Sequence, residues 1–187
     1  VNVILFGPPG AGKGTQAKHL VKKLNRFQIS TGDMLRDEIQ KNSEIGKKIV
    51  EDMSDGRFVS DEIVNSLIEK VICDPVKKNK LIFDGYPRSL SQAKNLEILL
   101  KNSNQKIEFI FFLNVKKETI IKRIEKRSFL ENRADDTLAT ILKRYDTYME
   151  TTKPVLDFYS ENANFYEIDG SEEIAEISTK IEQILSV

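Results

Sequence analysis

A glycine-rich segment near the start of the chain, residues 7–15, constrains the fold more than any other feature. It reads Gly-Pro-Pro-Gly-Ala-Gly-Lys-Gly-Thr, follows an apolar run over residues 1–6, and precedes Ala17, Leu20, Val21 and Leu24 at helical spacing. This order predicts a buried strand, a tight loop and a helix. Glycines let such a loop turn successive backbone N–H groups toward one anion, and the helix start adds the positive end of its dipole. We therefore expect a phosphate-binding loop at the end of a strand.

The loop matches the Walker A pattern of nucleotide-binding proteins with one departure. Lys13 has the position of the lysine that contacts phosphates, but Gly14 follows it where serine or threonine is usual. The hydroxyl comes one residue later, at Thr15, which weakens the case for direct magnesium binding by that side chain. The segment favours a nucleoside triphosphate as ligand; the alternative is a strand-to-helix turn that binds nothing.

Length and composition favour a single domain over residues 1–187. The 187 residues are 40% hydrophobic, which is enough for one full core and leaves little room for a second. The 29 basic residues balance the 29 acidic ones, so the net charge gives no general attraction to nucleic acids or to anionic membranes. We expect neither as a partner, and we expect the chain to act as a monomer.

The single cysteine, Cys73, excludes an intrachain disulfide and any zinc site built from several cysteines. We expect it to be a small buried side chain near the end of a helix. No stretch of the sequence approaches the roughly 20 apolar residues that span a bilayer. These features favour a reducing compartment, either the cytoplasm or the interior of an organelle.

Short apolar runs alternate with helical patterns along the whole chain. This alternation predicts an α/β fold, a five-stranded parallel sheet flanked by helices. The strand candidates are residues 1–6, 27–30, 80–84, 108–114 and 164–168. Ligands of open α/β sheets bind at the carboxyl ends of the strands. Gly7, Thr31, Asp84 and Asn114 lie at or just after such ends, so we expect the site there.

One of two excursions between the sheet elements is a candidate for a mobile cover over that site. Residues 31–79 are too long for a simple crossover and carry apolar residues at helical spacing, which predicts a helical lobe that could close over a ligand. Residues 128–133 form a much shorter connection between two helices.

Two kinds of charged side chain indicate a site for phosphate chemistry. Asp84 ends an apolar strand, and a carboxylate beside a phosphate loop supports magnesium in P-loop enzymes. The alternative is that Asp84 caps the turn before Pro87.

Arginines are the second kind, because guanidinium groups offer a planar fork of donors suited to phosphate oxygens. The arginines near strand ends or on the helices after them are Arg36, Arg88, Arg123, Arg127, Arg133 and Arg144. Any one of them could instead be a solvated surface residue.

Four segments together, residues 7–15, 30–36, 84–88 and 133–136, resemble adenylate kinase. The match runs in the family's order over nearly the whole chain. The resemblance implies a P-loop kinase fold with a helical monophosphate-binding lobe, whose binding segment covers about residues 31–60, and a lid at residues 128–133. It also implies magnesium-dependent, reversible phosphoryl transfer from ATP to AMP, which gives two ADP and balances the adenine nucleotides.

The resemblance also assigns roles to particular residues. The ATP site would consist of Gly10, Ala11, Gly12, Lys13, Gly14 and Thr15, with Arg123 and Gly170 near the adenine. The AMP site would consist of Thr31, Arg36, Arg57, Val59, Gly85, Arg88 and Gln92. Catalysis would rest on Lys13, Arg88, Arg127, Arg133 and Arg144, of which Arg133 and Arg144 would also touch the acceptor. Asp84 would hold the water shell of Mg²⁺.

The lid segment is shorter than the lid in the long-lid members of the family. Only residues 128–132 separate Arg127 from Arg133, so the chain resembles the short-lid form and we expect no structural zinc. Asp135 and Asp136 come after Ala134 and are typical of acids that cap the start of a helix. His19, the only histidine, has no apparent acid partner, and we expect no role for it.

Two rival functions remain open. A pyrimidine monophosphate kinase of similar fold would need a pocket for uracil or cytosine. Thr31 and Gln92 favour adenine instead, because the Gln92 amide can present both a donor and an acceptor. A nucleotide-binding module could respond to ATP without turnover, but the set of arginines favours an enzyme.

Overall fold

The chain folds around one parallel β-sheet. A computed structural model describes residues 1–57, 59–131 and 138–187, with the backbone alone for Ile124, residues 127–131, Leu138 and Ile141. Within these residues the sheet has five strands: β1 Val3–Phe6, β2 Phe27–Ser30, β3 Leu81–Asp84, β4 Phe109–Asn114 and β5 Phe165–Asp169. They lie in the order β2-β3-β1-β4-β5, and every neighbouring pair is parallel. The predicted α/β fold with a five-stranded parallel sheet is confirmed.

Helices connect these strands. They are α1 Lys13–Leu24, α2 Thr31–Gln40, α3 Glu44–Ser54, α4 Asp61–Ile72, α5 Leu90–Asn102, α6 Lys117–Glu131, α7 Leu138–Thr147, α8 Lys153–Ser160 and α9 Ile174–Leu185. A short 3₁₀ turn covers Pro75–Lys77, and a π-helical turn, Tyr148–Thr152, joins α7 to α8. No helix in the described ranges is long and apolar enough to cross a membrane.

The central strands β3, β1 and β4 are covered on both faces of the sheet, which is why each is a nearly continuous apolar run. Along β1, Ile4 and Phe6 belong to the core on one face, whereas Val3 and Leu5 belong to the core on the other. Helices α2 to α5 and α8 contribute to the first core, and α1, α6 and α9 contribute to the second. With both faces covered, the ends of the strands are the places left for a ligand.

The segment from residue 31 to residue 79 contains α2, α3, α4 and the 3₁₀ turn. Ser43 caps α3, because its Oγ accepts a hydrogen bond from the N–H of Gly46 at 3.0 Å. Gly46 also lets α3 approach α2 closely, since a Cβ there would lie 2.2 Å from the carbonyl oxygen of Glu38. The role of this segment as a lobe for an acceptor nucleotide stays a prediction.

The short connection at residues 128–133 is described only in part. Residues 128–131 are the end of α6, whereas residues 132 and 133 lie outside the described residues, as do Asp135 and Asp136. The lid assignment therefore stays a prediction.

Cys73 is exposed, so the expectation of a buried side chain is wrong. The buried stripe of α4 consists of Val64, Ile68 and Ile72, spaced by four residues. Cys73 follows Ile72 directly and caps the helix, so it points about a quarter of a turn away from that stripe. Its thiol faces solvent for this geometric reason.

His19 has an acid partner, contrary to the expectation from the sequence. Its Nε2 lies 2.6 Å from Oε1 of Glu182, and Lys23 pairs with the other oxygen of the same carboxylate. The contact joins α1 to α9 across 163 residues of sequence. It lies at the surface, where such pairs add little to stability.

Asn2 ties β1 to its neighbours at the amino-terminal edge of the sheet. The residue is fully buried, and its Oδ1 accepts a hydrogen bond from the N–H of Leu81 at 3.0 Å. Its Nδ2 donates to the carbonyl oxygen of Lys106 at 3.0 Å and to Oε1 of Gln105 at 3.3 Å. These bonds satisfy buried groups of β3 and of the segment before β4.

Replacing Asn2 by leucine should lower the free energy of unfolding by about 2–4 kcal/mol, because several buried polar groups lose their partner at once. Urea denaturation measures this change. The matched control is Asn102→Leu at the exposed end of α5, which should stay within about 0.5 kcal/mol of the parent. A loss below about 1 kcal/mol for Asn2→Leu would contradict the proposed importance of these bonds.

Candidate active site

A cleft of about 590 Å³ opens at the carboxyl edge of the sheet. Cavities of roughly 300–1,000 Å³ are typical of small-molecule sites. Its wall includes most of the loop between β1 and α1, Asp84 at the end of β3, and Gly170 just after β5. The cleft lies at the edge where open α/β sheets bind their ligands, and it is the candidate active site.

The glycine-rich loop after β1 forms one wall of this cleft. Gly7 packs against β4, since a Cβ there would lie 2.8 Å from the carbonyl oxygen of Leu113. Gly12 has a φ of +93°, a conformation that favours glycine, and it is the N-cap of α1. Lys13 begins α1, and its Nζ donates to the carbonyl oxygens of Gly7 at 2.7 Å and Pro8 at 3.0 Å. The ammonium group thus lies against the loop, where a phosphate would be a stronger acceptor than a carbonyl group.

Asp84 is a nearly buried carboxylate beside this loop. It is 8% exposed, and a Cβ on Gly14 would lie 3.6 Å from its Oδ2. The Nε2 of Gln28 donates to the same oxygen at 2.9 Å. Gln28 was not predicted from the sequence as a residue of the site. The available signal was that Gln28 and Ser30 are polar residues two apart in a short strand, a spacing that places both on one face. Gln28 holds the carboxylate at the cleft wall.

Three arginines, Arg36, Arg88 and Arg144, line both the main cleft and a smaller recess beside it. Burial lowers the pKa of Arg88 to about 10, and the charge of Arg144 is the second cause. Arg36 lowers this pKa as well, whereas the carboxylate of Asp84 raises it. Arg88 also donates through Nε to the carbonyl oxygen of Gly85 at 2.7 Å, and Arg36 pairs with Asp33 at 2.6 Å. The region concentrates positive charge, and an anion would relieve it.

The other residues predicted for a triphosphate site are described to different extents. Arg123 on α6 and Gly170 line the cleft. Gly170 is held there because its N–H donates to the carbonyl oxygen of Asn114 at 2.9 Å, and a Cβ would lie 2.5 Å from the side chain of Val115. Arg127 lies one turn after Arg123 on α6, but its side chain is outside the described set, and Arg133 is outside the described residues altogether.

The residues predicted for an AMP site surround the smaller recess. Those that line it are Thr31, Arg36, Arg57, Val59, Gly85, Arg88, Gln92 and Arg144. Thr31 is buried, and its hydroxyl donates to the carbonyl oxygen of Gly85 at 2.9 Å. The guanidinium group of Arg57 forms ion pairs with Asp52 and Asp55 near the end of α3. The fold therefore brings residues from α2, the segment before α4 and the start of α5 to one place.

Gln92 is fixed at the start of α5 by hydrogen bonds on both sides of its amide. It is 3% exposed. Its Oε1 accepts from the backbone N–H of Arg88 at 2.7 Å, and its Nε2 donates to Oδ1 of Asp61 at 2.8 Å. Asp61 was missed in the sequence, where it is indistinguishable from any other acid in the first turn of a helix.

Tyr86 and Thr152 also support this region and were missed. The hydroxyl of Tyr86 donates to Oδ1 of Asn65 at 2.8 Å, and the carbonyl oxygen of Gln92 lies 3.3 Å from the same hydroxyl. Burial raises the pKa of Tyr86 to about 12, so the phenol keeps its proton near neutral pH. Thr152 donates to the carbonyl oxygen of Arg88 at 3.2 Å. The only hint for Tyr86 in the sequence is its position between Asp84 and Arg88.

Comparison with known proteins identifies the family. Residues 5–164 match the family model of adenylate kinase. The chain is 47% identical to the adenylate kinase of Pelagibacter ubique (strain HTCC1062), over an alignment that covers all of both chains. It is 41% identical to the adenylate kinase of Caulobacter sp. (strain K31), covering 100% of this chain and 99% of the relative. It is 40% identical to that of Mycoplasma capricolum subsp. capricolum, covering 94% of each. The resemblance predicted from four sequence segments is confirmed, and the chain belongs to the adenylate kinase family.

Proposed function

We propose that this chain transfers the terminal phosphoryl group of ATP to AMP, reversibly, and so helps to balance the adenine nucleotides. The observation that carries the proposal is the set of three arginines shared by the cleft and the recess, Arg36, Arg88 and Arg144. Two anionic ligands, one in each cavity, would meet at these guanidinium groups. Family membership and the names of the relatives support the same reaction.

ATP is proposed to bind in the main cleft. Backbone N–H groups from Gly10 to Thr15 and the ammonium group of Lys13 would contact its phosphates. Arg123 and Gly170, which line the same cleft, would lie near its adenine. This assignment is supported by the way these residues line one cavity.

The donor set beside the loop fits a magnesium ion carried by ATP. Among the described residues no group of three or more His, Cys, Asp or Glu side chains could hold a metal. Asp84 offers one carboxylate at the cleft wall, so phosphates and water would supply the remaining oxygens, as magnesium prefers. When bound, Mg²⁺ neutralises charge on the phosphates. In the proposed site Gln28 orients Asp84 for this role.

AMP is proposed to bind in the recess. Arg36 and Arg88 would hold its phosphate, while Thr31, the backbone from Arg57 to Val59, and Gln92 would surround its base. Gly85 leaves space for Arg88, since a Cβ there would lie 2.9 Å from Nη2 of that side chain. Movement of residues 31–60 and of the lid at 128–133 would complete the site and exclude water.

The chemistry requires no general base, because the attacking phosphate oxygen of AMP is already anionic. The side chains must instead align the two nucleotides and neutralise the charge that develops on the transferring group. Lys13, Arg88 and Arg144 are proposed for this role, together with Arg127 and Arg133.

We further propose that the chain acts as a cytoplasmic monomer without structural zinc. The exposed thiol of Cys73 fits a reducing compartment.

Offering AMP, CMP, UMP, GMP and water in turn as acceptors tests the proposal. With Mg-ATP as donor, we expect rapid ADP formation with AMP and far slower formation with the others, because Thr31 and Gln92 suit adenine. A coupled assay for ADP, repeated with EDTA, measures both acceptor choice and metal dependence. Preference for CMP or UMP would support the pyrimidine kinase alternative, and ATP binding without any turnover would support a non-enzymatic module.

Lys13→Ala should lower kcat about a hundredfold or more with any acceptor, because a cation at the phosphates is lost. The matched control is Lys22→Ala, an exposed lysine on the same helix, for which kcat should stay within about twofold of the parent. Steady-state kinetics at saturating ATP and AMP measure the effect. A decrease smaller than about fivefold for Lys13→Ala would contradict the proposed role.

Arg88→Ala should raise the KM for AMP about tenfold or more and lower kcat, with a smaller change in the KM for ATP. The reason is that Arg88 lines both cavities, but its backbone N–H bonds to Gln92, which lines the recess and not the main cleft. Lys94→Ala, an exposed change on α5, is the control. Equal effects on both KM values, or a larger effect on the KM for ATP, would contradict the assignment of the Arg88 side chain to AMP binding.

A further inference from the structure

The side-chain amide of Gln92 has one orientation that fits its surroundings. The backbone N–H of Arg88, 2.7 Å from Oε1, can only donate, and the carboxylate of Asp61, 2.8 Å from Nε2, can only accept when ionised. Reversing the amide would set its NH₂ group against an N–H and its oxygen against a carboxylate. Both contacts would be repulsive, so Asp61 and the Arg88 backbone fix the same orientation.

Each end of the amide keeps capacity for one more hydrogen bond. The Nε2 group has a second hydrogen, and Oε1 has a second lone pair. Gln92 lines the recess, so a base bound there can use both the second hydrogen and the second lone pair.

An amide of fixed orientation distinguishes bases in a given pose by their donors and acceptors. Adenine presents an acceptor at N1 beside a donor at N6. Hypoxanthine has the same shape but presents a donor at N1 beside an acceptor at O6.

We infer that Asp61 is a positioning residue for base selection: by holding the amide of Gln92 in one orientation, it favours adenine over hypoxanthine. This inference rests on the proposed use of the recess for AMP. Asp61 acts through Gln92 and is not among the residues that line the recess. It therefore affects the choice of base without touching it.

Asp61, at the start of α4, connects to the start of α5 through both of its carboxylate oxygens. Its second oxygen, Oδ2, accepts from the hydroxyl of Ser89 at 3.4 Å, and Ser89 in turn accepts from the N–H of Gln92 at 3.2 Å. Both carboxylate oxygens thus face the start of α5. Asp61 also lies two residues after Val59, which lines the recess. The same carboxylate connects the two segments that border the base.

A purely structural role is the competing explanation, because acids stabilise the first turn of a helix. Glu62 separates the two explanations. It is exposed and lies in the same first turn of α4, so Glu62→Gln removes the same charge near the same helix dipole. It is therefore the matched control for Asp61→Asn.

The test compares kcat/KM for AMP and for IMP, whose base is hypoxanthine, with Mg-ATP as the donor. An asparagine side chain can donate as well as accept, so Asp61→Asn tolerates a reversed Gln92 amide, and only the Arg88 N–H still opposes it. We expect the AMP-to-IMP ratio of kcat/KM to fall about tenfold, which corresponds to one hydrogen bond, through both a higher KM for AMP and better use of IMP. Glu62→Gln should leave the ratio within about twofold of the parent.

An equal loss with AMP and IMP, or an unchanged ratio, would overturn the inference, because a structural defect affects both acceptors alike. Failure of the proposed function is seen separately, as absent AMP turnover in the parent chain. Calorimetric titration of AMP and IMP then gives the same ratio from Kd values and decides the inference without turnover. If Asp61→Asn fails to fold at the assay temperature, Asp61→Ser, which also removes the carboxylate, replaces it under the same criteria.

Discussion

The partly buried charge of Arg88 is the constraint on which the arrangement of the site depends. Its guanidinium group has lost solvent and feels the like charges of Arg144 and Arg36, with the carboxylate of Asp84 opposing them. A protein holds cations in such a place at a cost in stability, and an anionic ligand recovers that cost on binding. An anion bound between these arginines would balance their charge, and in the proposed reaction the phosphates of the two nucleotides would do so.

The sheet supplies the rigidity that keeps these charges in place. Because both faces of β1 are packed into cores, the strand ends cannot shift without disrupting the interior. Close backbone approach at Gly7 and Gly170 locks the loops after β1 and β5 against β4 and the residue after it. Asp84 is paired with β1 and β2 through the register of β3. The candidate site thus lies at the end of a rigid element, whereas the segment predicted to form the acceptor lobe consists largely of separate helices.

Charge and base recognition are separated within the proposed AMP site. The three arginines line both cavities. Gln92 is held instead by neutral and acidic groups, namely the backbone N–H of Arg88, the carboxylate of Asp61 and the hydroxyl of Tyr86. Hydrogen bonds among these groups are satisfied in the interior, where an unpaired group would be costly. In the proposed site the amide would therefore select a base by its pattern of donors and acceptors, while the arginines would bind any phosphate.

The sequence alone determined the strands, their parallel arrangement and the phosphate loop, because these depend on apolar periodicity and on glycines close together in the chain. It also indicated Thr31, Arg88, Gln92 and several other residues that line the recess through a resemblance. It did not indicate the pairs Gln28–Asp84, Asp61–Gln92 and His19–Glu182, whose members lie 56, 31 and 163 residues apart. Nor did it place Cys73 in solvent, which depends on the face that α4 buries. Only the tertiary structure decides these features, because a polar side chain carries no local signal of the partner that folding brings to it.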